Sequence, residues 1–286
     1  MLNFRANGKL LLTSEYAVLN GAKAIAVPTK RGQTLTYTNG PKQLYWTAYR
    51  NDGSIWIEGS VETGDHLKHV KNLLTEAMKI AGKLEFPTGH VTTTLEFPQE
   101  WGWGSSSTLT SLIAQWFKIN AMELHFKTSN GSGYDVACAQ SNQPIFYEKK
   151  GNRFNITPVS LENWPTSNIY FKYLGHKINS QKEIDNYNKK TPKDVEVFTL
   201  LTKKISKVRT IKNMIRLVNR HEFLMSKHLN QKSPLQNLFQ DSKIGKKSLG
   251  AWGGDFALLI IESTEQVDYL KGQNIKTFFS WNDVIL

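Results

Sequence analysis

Three glycine-rich loops, each beside a predicted helix or strand, constrain the fold of this 286-residue chain more than any other feature. Loop A is GWGSSST at 102–108, loop B is GSGYD at 131–135, and loop C is GAWGGD at 250–255. Glycine lets the backbone approach a ligand closely, and a helix that follows such a loop presents unpaired N–H groups to an anion. We therefore expect the three loops to hold anionic ligands through the backbone.

Each loop also has a purely structural interpretation. Loop A is not a Walker loop, because no Gly-Lys-Ser/Thr follows at the required spacing, and its serines are good helix caps. Asp135 of loop B falls in the first turn of a predicted helix, where an aspartate is often only a cap. Loop C could be a tight hairpin. The combination of three such loops favours a ligand-binding function over three unrelated turns.

The order of the predicted elements indicates an α+β protein. Residues 8–60 read mostly as strands, 66–81 as an amphipathic helix, 90–97 as a strand and 106–119 as a second helix. Long helices follow over 192–209 and 211–230, and strands close the chain. The segment 161–168 contains Pro165 and little periodicity. It suggests an N-terminal domain over 1–163 and a C-terminal domain over 164–286.

Composition narrows the cellular context and the partners. Cys138 is the single cysteine, so an internal disulfide is impossible, and no signal peptide or stretch of about 20 apolar residues is present. We expect a cytoplasmic protein, monomeric or homodimeric, without a membrane partner. The net charge of +12 suits a small anionic substrate. The basic residues clustered between 189 and 220 are predicted to form a solvent-exposed helix face. They lack the interleaved aromatics of RNA-binding signatures, so no nucleic-acid partner is expected.

Four segments, in order, resemble the motifs of the GHMP kinases, the superfamily of galactokinase, homoserine kinase, mevalonate kinase and phosphomevalonate kinase. They are GKLLLTSEYAVLNGAKAIAVP at 8–28, WGWGSSST at 101–108, GSGYDVA at 131–137 and SLGAWGGDFALL at 248–259. The third also resembles the bacterial subgroup called GYDIA-type GHMP kinases. The order of all four is far more specific than any one motif.

This resemblance implies a two-domain GHMP kinase fold, with a ribosomal-protein-like βαβ domain followed by a ferredoxin-like domain. It implies a Mg²⁺- and ATP-dependent kinase that phosphorylates a small-molecule hydroxyl or phosphate. Mevalonate or phosphomevalonate, from isoprenoid biosynthesis, is the expected acceptor. Homoserine or a sugar is the alternative within the superfamily. The other alternative is a relative without catalysis that still binds nucleotide or nucleic acid.

The resemblance also assigns roles residue by residue. Asp135 matches the catalytic aspartate, Lys9 matches the lysine near the reacting hydroxyl, and Ser106 matches the serine that contacts Mg²⁺ and phosphate. The other residues expected to wrap the nucleotide phosphates are Gly102, Gly104, Ser105 and Ser107. The residues expected to contact substrate are Glu15, Gly133, Gly253 and Gly254. Glu123, one residue out of register, is the candidate acidic ligand of Mg²⁺.

The chain departs from the family pattern in three of the motifs. Ser14 stands where the first motif usually has glycine, and Trp252 interrupts the glycine run of loop C. In loop A, Trp103 replaces a leucine, and Ser107-Thr108 replaces two alanines. Indole rings in two of the loops could narrow a nucleotide pocket or stack on a base.

Overall fold

The computed structural model describes residues 1–151, 153–175, 187, 195–237, 243–250, 252, 255–273 and 277–286. It confirms the α+β class, with two sheets and helices between the strands. The strands are β1 Leu2–Leu11, β2 Ala24–Asn39, β3 Tyr45–Tyr49, β4 Ile55–Ser60, β5 Gly89–Leu95, β6 Ile145–Lys150, β7 Arg153–Pro158, β8 Ile169–Tyr173, β9 Gly245–Leu249, β10 Phe256–Ile260 and β11 Phe278–Ser280. The helices are α1 Lys68–Ile80, α2 Ser105–Phe117, α3 Ala121–Thr128, α4 Tyr134–Ala139, α5 Glu196–Ile205, α6 Ile211–Leu229, α7 Thr264–Gln273 and α8 Trp281–Val284.

The chain divides into two compact units that interleave along the sequence. The first unit comprises 1–9, 31–99 and 103–141, and the second comprises 10–30, 100–102 and 142–286. The predicted boundary between residues 163 and 164 separates two continuous domains, whereas each of these units is made of several segments. That boundary therefore stays a prediction. None of the helices in the described part of the chain combines the length and apolar character that a membrane span requires.

The first unit contains the strand order β4-β3-β5-β2. β5 runs parallel to β3 and antiparallel to the second half of β2, and its side chains alternate between buried and half-buried positions, as the sequence pattern requires. α1 buries Val70, Leu73, Leu74, Ala77 and Met78, which lie on one helical face. The predicted helices at 66–81 and 106–119 therefore form within one or two residues of the expected ends.

The second unit contains two groups of strands. β6 pairs with the first half of β2 and with β7, while β11, β8, β10 and β9 form a separate antiparallel sheet in that order. All five residues of β10 are buried, which explains the uninterrupted apolar run FALLI. The basic side chains from Lys203 to Arg220 on α5, α6 and the segment between them are exposed, as a solvated face requires, while Lys189, Lys190 and Lys193 lie outside the described residues.

Candidate active site

Loop A ends at the N-terminus of α2, in the first unit. Gly104 precedes the helix with φ at 90°, a conformation that glycine adopts without the clash of a Cβ. A Cβ built there would lie 2.5 Å from Ser107 Oγ, which donates a 2.8 Å hydrogen bond to the Gly104 carbonyl. Within the described residues, no side chain caps the first turn of α2. Its N–H groups are therefore available to an anion.

The three serines of loop A are placed differently. Ser105 is half-buried, and Ser107 is buried and used in the hydrogen bond just described. Ser106 is exposed, and its Oγ lies 3.5 Å from Nε2 of His69, at the start of α1. A contact of that length is weak. Of the three serines, Ser106 therefore has the hydroxyl that is most accessible to a ligand.

Lys9, on β1, joins loop A to loop B. Its side chain is buried, and its Cε and Cγ lie 3.1 and 3.2 Å from the Cβ position of Gly104. Its Nζ lies 3.3 Å from the hydroxyl of Tyr134 and 5.4 Å from the centre of that ring. The Lys9 N–H also donates to the Trp103 carbonyl at 3.0 Å. One buried lysine therefore contacts both the anion-facing loop and the residue that precedes Asp135.

Asp135 is half-buried in the first turn of α4, and its Oδ1 accepts a 3.0 Å hydrogen bond from the N–H of Val136. Burial raises the pKa of the neighbouring Cys138 thiol, against a lowering influence of the Lys9 charge, and the Asp135 charge raises it further. The charges of Lys9 and Asp135 thus act on the same buried group. Cys138 itself stays a protonated packing residue and is a poor nucleophile.

Gly133 gives α4 its sharp start. It is buried and has φ at 87°, so a side chain at this position would strain the backbone. The ring of His125, a buried residue of α3, lies beneath the same loop, 3.3 Å from the Cβ position of Gly131. His125 therefore packs against loop B, and Asp135 of the same loop remains half-buried.

Acidic metal ligands are sparse in the described part of the chain, which contains no group of three or more His, Cys, Asp or Glu side chains that could hold a metal. Glu123 is exposed in the first turn of α3, where its N–H donates to the Asn120 side chain at 3.2 Å. Its role as a Mg²⁺ ligand stays a prediction.

Glu15, in the second unit, is buried in an ion pair. Lys247 of β9 donates to its Oε1, and His221 Nε2 lies 3.9 Å from its Oε2. Burial raises the Glu15 pKa, although the charge and hydrogen bond of Lys247 oppose that shift. Burial and the Lys247 charge lower the pKa of His221 well below its usual value, so this imidazole is neutral. The substrate contact predicted for Glu15 stays a prediction.

The departures from the motif pattern have local structural causes. Ser14 has φ at 64°, which explains why glycine is common there, and its Oγ donates to the Lys23 carbonyl at 2.7 Å. Trp103 is buried against Phe97, so its indole belongs to the core of the first unit. Trp252 is half-buried, and its Nε1 donates to the Lys232 carbonyl at 3.0 Å. Gly253 and Gly254 lie outside the described residues.

Sequence reasoning did not single out His69, Tyr134, Lys247 or Asp255. Tyr134 and Asp255 each belong to a glycine-rich loop, so their position was a usable signal. Asp255 lies against Gly102, whose φ is 66°. His69 and Lys247 carry no local signal, because each meets its partner only through the folding of distant segments.

The chain matches no protein-family model and no curated protein sequence. In structure it is similar to the Streptococcus pneumoniae phosphomevalonate kinase in complex with phosphomevalonate and AMPPNP, with a TM-score of 0.75, 16% identity, and coverage of 100% of this chain and 98% of that chain. It is similar to the Methanococcus jannaschii mevalonate kinase, with a TM-score of 0.68, 14% identity and coverage of 96% and 95%. It is also similar to the Lactococcus lactis galactokinase complexed with galactose, with a TM-score of 0.67, 15% identity and coverage of 97% and 92%.

Proposed function

We propose, from the premise that this chain has the two-domain fold of the GHMP kinases, that it transfers the terminal phosphoryl group of ATP to a small molecule. The expected acceptor group is a hydroxyl or a phosphate. Similarity at this level of identity establishes the fold alone, so the proposal rests on the residues of the site.

The observation that carries the proposal is the placement of Lys9. Its stem packs on Gly104, at the anion-facing start of α2, and its ammonium reaches Tyr134, next to Asp135. Phosphoryl transfer needs a group that offsets charge on the phosphates and a group that orients the acceptor. A buried lysine that contacts both loops suits the first task, and the half-buried carboxylate of Asp135 suits the second.

The residues act in a simple sequence. The backbone N–H groups of Ser105 and Ser106 hold phosphate oxygens, and the Lys9 ammonium offsets their negative charge. When the acceptor group is a hydroxyl, Asp135 accepts a hydrogen bond from it and orients its oxygen toward the phosphorus. As the new O–P bond forms and the bond to the leaving ADP oxygen breaks, the hydroxyl proton passes to the Asp135 carboxylate. The proton then returns to solvent.

The donor set fits ATP and a Mg²⁺ ion that arrives with it. A Cβ at Gly104 would fill part of the space at the helix start, and Ser106 presents an exposed hydroxyl there. Mg²⁺ usually keeps several waters and binds phosphates with one or two protein oxygens, so a sparse set of acidic side chains is compatible with it. Ser106, with Glu123 as the acidic candidate, would hold it, and the ion would neutralise phosphate charge.

Mevalonate or phosphomevalonate is the acceptor that we favour. The similar solved structures include kinases named for both compounds, and the net charge of +12 favours an anionic acceptor. The likeness to a galactokinase supports a sugar as the second candidate. Homoserine is the remaining acceptor to test within this fold.

The test is a coupled assay of ADP release with mevalonate, phosphomevalonate, homoserine and galactose, each with Mg-ATP. We expect one of the first two to support turnover well above the ATPase rate without acceptor. Asp135→Asn is the matched control, because it should lower the acceptor-dependent rate about 10²-fold or more and leave any contaminating kinase unaffected. ATP binding without turnover on any acceptor would favour a relative that has lost catalysis, and failure to bind ATP would contradict the proposal itself.

A further inference from the structure

The carboxylate of Asp255 lies against two glycines that are far from each other in the sequence. A Cβ built on Gly102 would be 2.2 Å from Asp255 Oδ2, and one built on Gly250 would be 2.4 Å from the same atom. Contacts this short do not occur between real atoms, so the carboxylate occupies the space that side chains at both positions would need. Asp255 is itself buried, with 5% of its surface exposed.

Both glycines are also held in the left-handed region of the backbone, with φ at 66° for Gly102 and 83° for Gly250. Each position thus excludes a side chain for two reasons, conformation and space. Gly102 opens loop A and Gly250 opens loop C. A single buried carboxylate, which ends loop C, therefore packs against the first residue of both loops.

We propose that Asp255 is a positioning residue for nucleotide binding. Its carboxylate fixes the path of loop A at Gly102, two residues before the glycine that starts α2 and its anion-facing N–H groups. This inference rests on the proposed function, since it takes loop A as the phosphate-binding loop. Asp255 acts through Gly102 and not by contact with the nucleotide, because a buried carboxylate beside phosphates would repel them.

The bonding of neighbouring residues supports a fixed Asp255. Trp101, which precedes Gly102, is buried with its ring 5.7 Å from Phe256, the residue that follows Asp255. The N–H of Leu174 donates to the Asp255 carbonyl at 3.1 Å. Both the backbone of Asp255 and the residue before Gly102 are thus anchored in the second unit, so the carboxylate cannot shift to make room without moving packed groups.

The first experiment compares Asp255→Asn with wild type by equilibrium binding of Mg-ATP and by the melting temperature without ligand. Asparagine keeps the size but replaces one acceptor oxygen with an NH2 donor, so the side chain can no longer be held in the same way against Gly102. We expect the Kd for Mg-ATP to rise about tenfold or more, with the melting temperature changed by only a few degrees. Asp283→Asn is the control, because Asp283 is a carboxylate of the same unit that accepts hydrogen bonds from Ser280. It should leave the Kd near wild type.

The second experiment keeps the test valid if Asp255→Asn does not fold. Gly102→Ala adds one methyl group toward the carboxylate, and Gly151→Ala adds one at a similar φ of 58° with nothing within 4 Å. We expect Gly102→Ala to weaken Mg-ATP binding about tenfold more than Gly151→Ala does. In an Asp255→Ala background the added effect of Gly102→Ala should shrink, because the clashing atoms are gone.

The outcomes separate the two proposals. Two results would overturn the positioning role and leave the kinase proposal intact, provided that the wild type binds Mg-ATP. One is an unchanged Kd in Asp255→Asn, and the other is an equal effect of the two glycine variants. Loss of affinity only in proportion to a lowered melting temperature would also overturn it, since that is the result of a purely structural role. Wild type that does not bind Mg-ATP would overturn the proposed function, and this inference with it.

Discussion

Lys247 of β9 donates a hydrogen bond to the carboxylate of Glu15, and both side chains are buried in the second unit. Glu15 belongs to the motif at 8–28, and Lys247 immediately precedes the motif at 248–259. The pair therefore ties together two segments that are more than 230 residues apart in the sequence.

Removing one partner of this pair should be costly. Lys247→Met leaves Glu15 buried without its cation, and we expect the free energy of unfolding at pH 7.5 to fall by about 3–5 kcal/mol. The measurement is chemical unfolding. Lys79→Met is the matched control, because Lys79 pairs with Glu76 on the surface, where such pairs contribute about 1 kcal/mol or less. The double variant Glu15→Gln/Lys247→Met should recover most of the loss, and a double variant as unstable as the single one would contradict this account.

The deficit of Lys247→Met should also depend on pH. Burial holds the Glu15 pKa above its ordinary value, so the folded state takes up the proton more readily than the unfolded state and gains stability as pH falls. Without Lys247, which opposes that shift, the effect grows. We expect the difference in unfolding free energy between wild type and Lys247→Met to shrink as pH falls from 8 toward 5. A difference that is constant with pH would contradict this account, because it would mean that loss of Lys247 does not change the proton uptake of Glu15 on folding.

His221 should make wild-type stability fall in mild acid. Burial and the Lys247 charge hold its pKa well below the ordinary value of about 6.5, and its Nε2 accepts a 2.8 Å hydrogen bond from the Ser14 N–H. Below that pH the unfolded chain binds a proton that the folded state does not, so stability is lost at up to about 1.4 kcal/mol per pH unit. His221→Gln keeps an acceptor for Ser14 but cannot titrate. We expect its unfolding free energy to be less pH-dependent than that of wild type between pH 6.5 and 5.5.

Mg-ATP should raise the melting temperature of the wild-type protein. A ligand that binds only the native state stabilises it by about 2.7 kcal/mol at 100 times its Kd, which corresponds to several degrees for a chain of this size. This prediction follows from the start of α2 after Gly104, where no described side chain caps the helix and its N–H groups can bind phosphate. Mg²⁺ with inorganic sulfate serves as the ionic-strength control, and an equal shift with sulfate would point to a general anion effect.

Ser106→Ala should impair the use of Mg-ATP without loss of stability. The hydroxyl is exposed and its described contact with His69 is weak, so its removal costs the fold little, while the backbone donors of α2 remain. We expect a higher KM for Mg-ATP, a lower kcat, or both, with an unchanged melting temperature. Ser160→Ala, at another exposed serine, is the control. Wild-type turnover in Ser106→Ala would remove this residue from the site.

Asp135→Asn should separate catalysis from capping. Asparagine retains the size and caps a helix as well as aspartate does, but it has neither the charge nor the basicity. We expect ATP affinity and melting temperature to persist while turnover falls about 10²-fold or more, the usual scale for loss of a positioned acid–base group. All three quantities should be measured on one preparation. Full activity in this variant would show that Asp135 only caps α4.

The sequence by itself predicted most of the helices and strands and proposed the residues of the candidate site. The periodicity of Val70, Leu73, Leu74 and Ala77 predicts α1, because burial of one helical face requires that spacing. The glycines of loops A and B mark sharp helix starts, because left-handed backbone at Gly104 and Gly133 tolerates little else. The helix at Ala121–Thr128 was not predicted, since its eight residues give a weak periodic signal.

Only the tertiary structure decided which of these residues meet. Lys9 lies on Gly104 and reaches Tyr134, Lys247 neutralises Glu15, and Asp255 occupies the space above Gly102 and Gly250. Apart from the contact between Asp255 and Gly250, these contacts join residues that are far apart in the sequence. The separations range from about 95 residues to more than 230. Local patterns report how a segment satisfies its own backbone and which face it buries. They carry no information about the partner that a buried charge finds, because that partner is chosen by the packing of the whole chain.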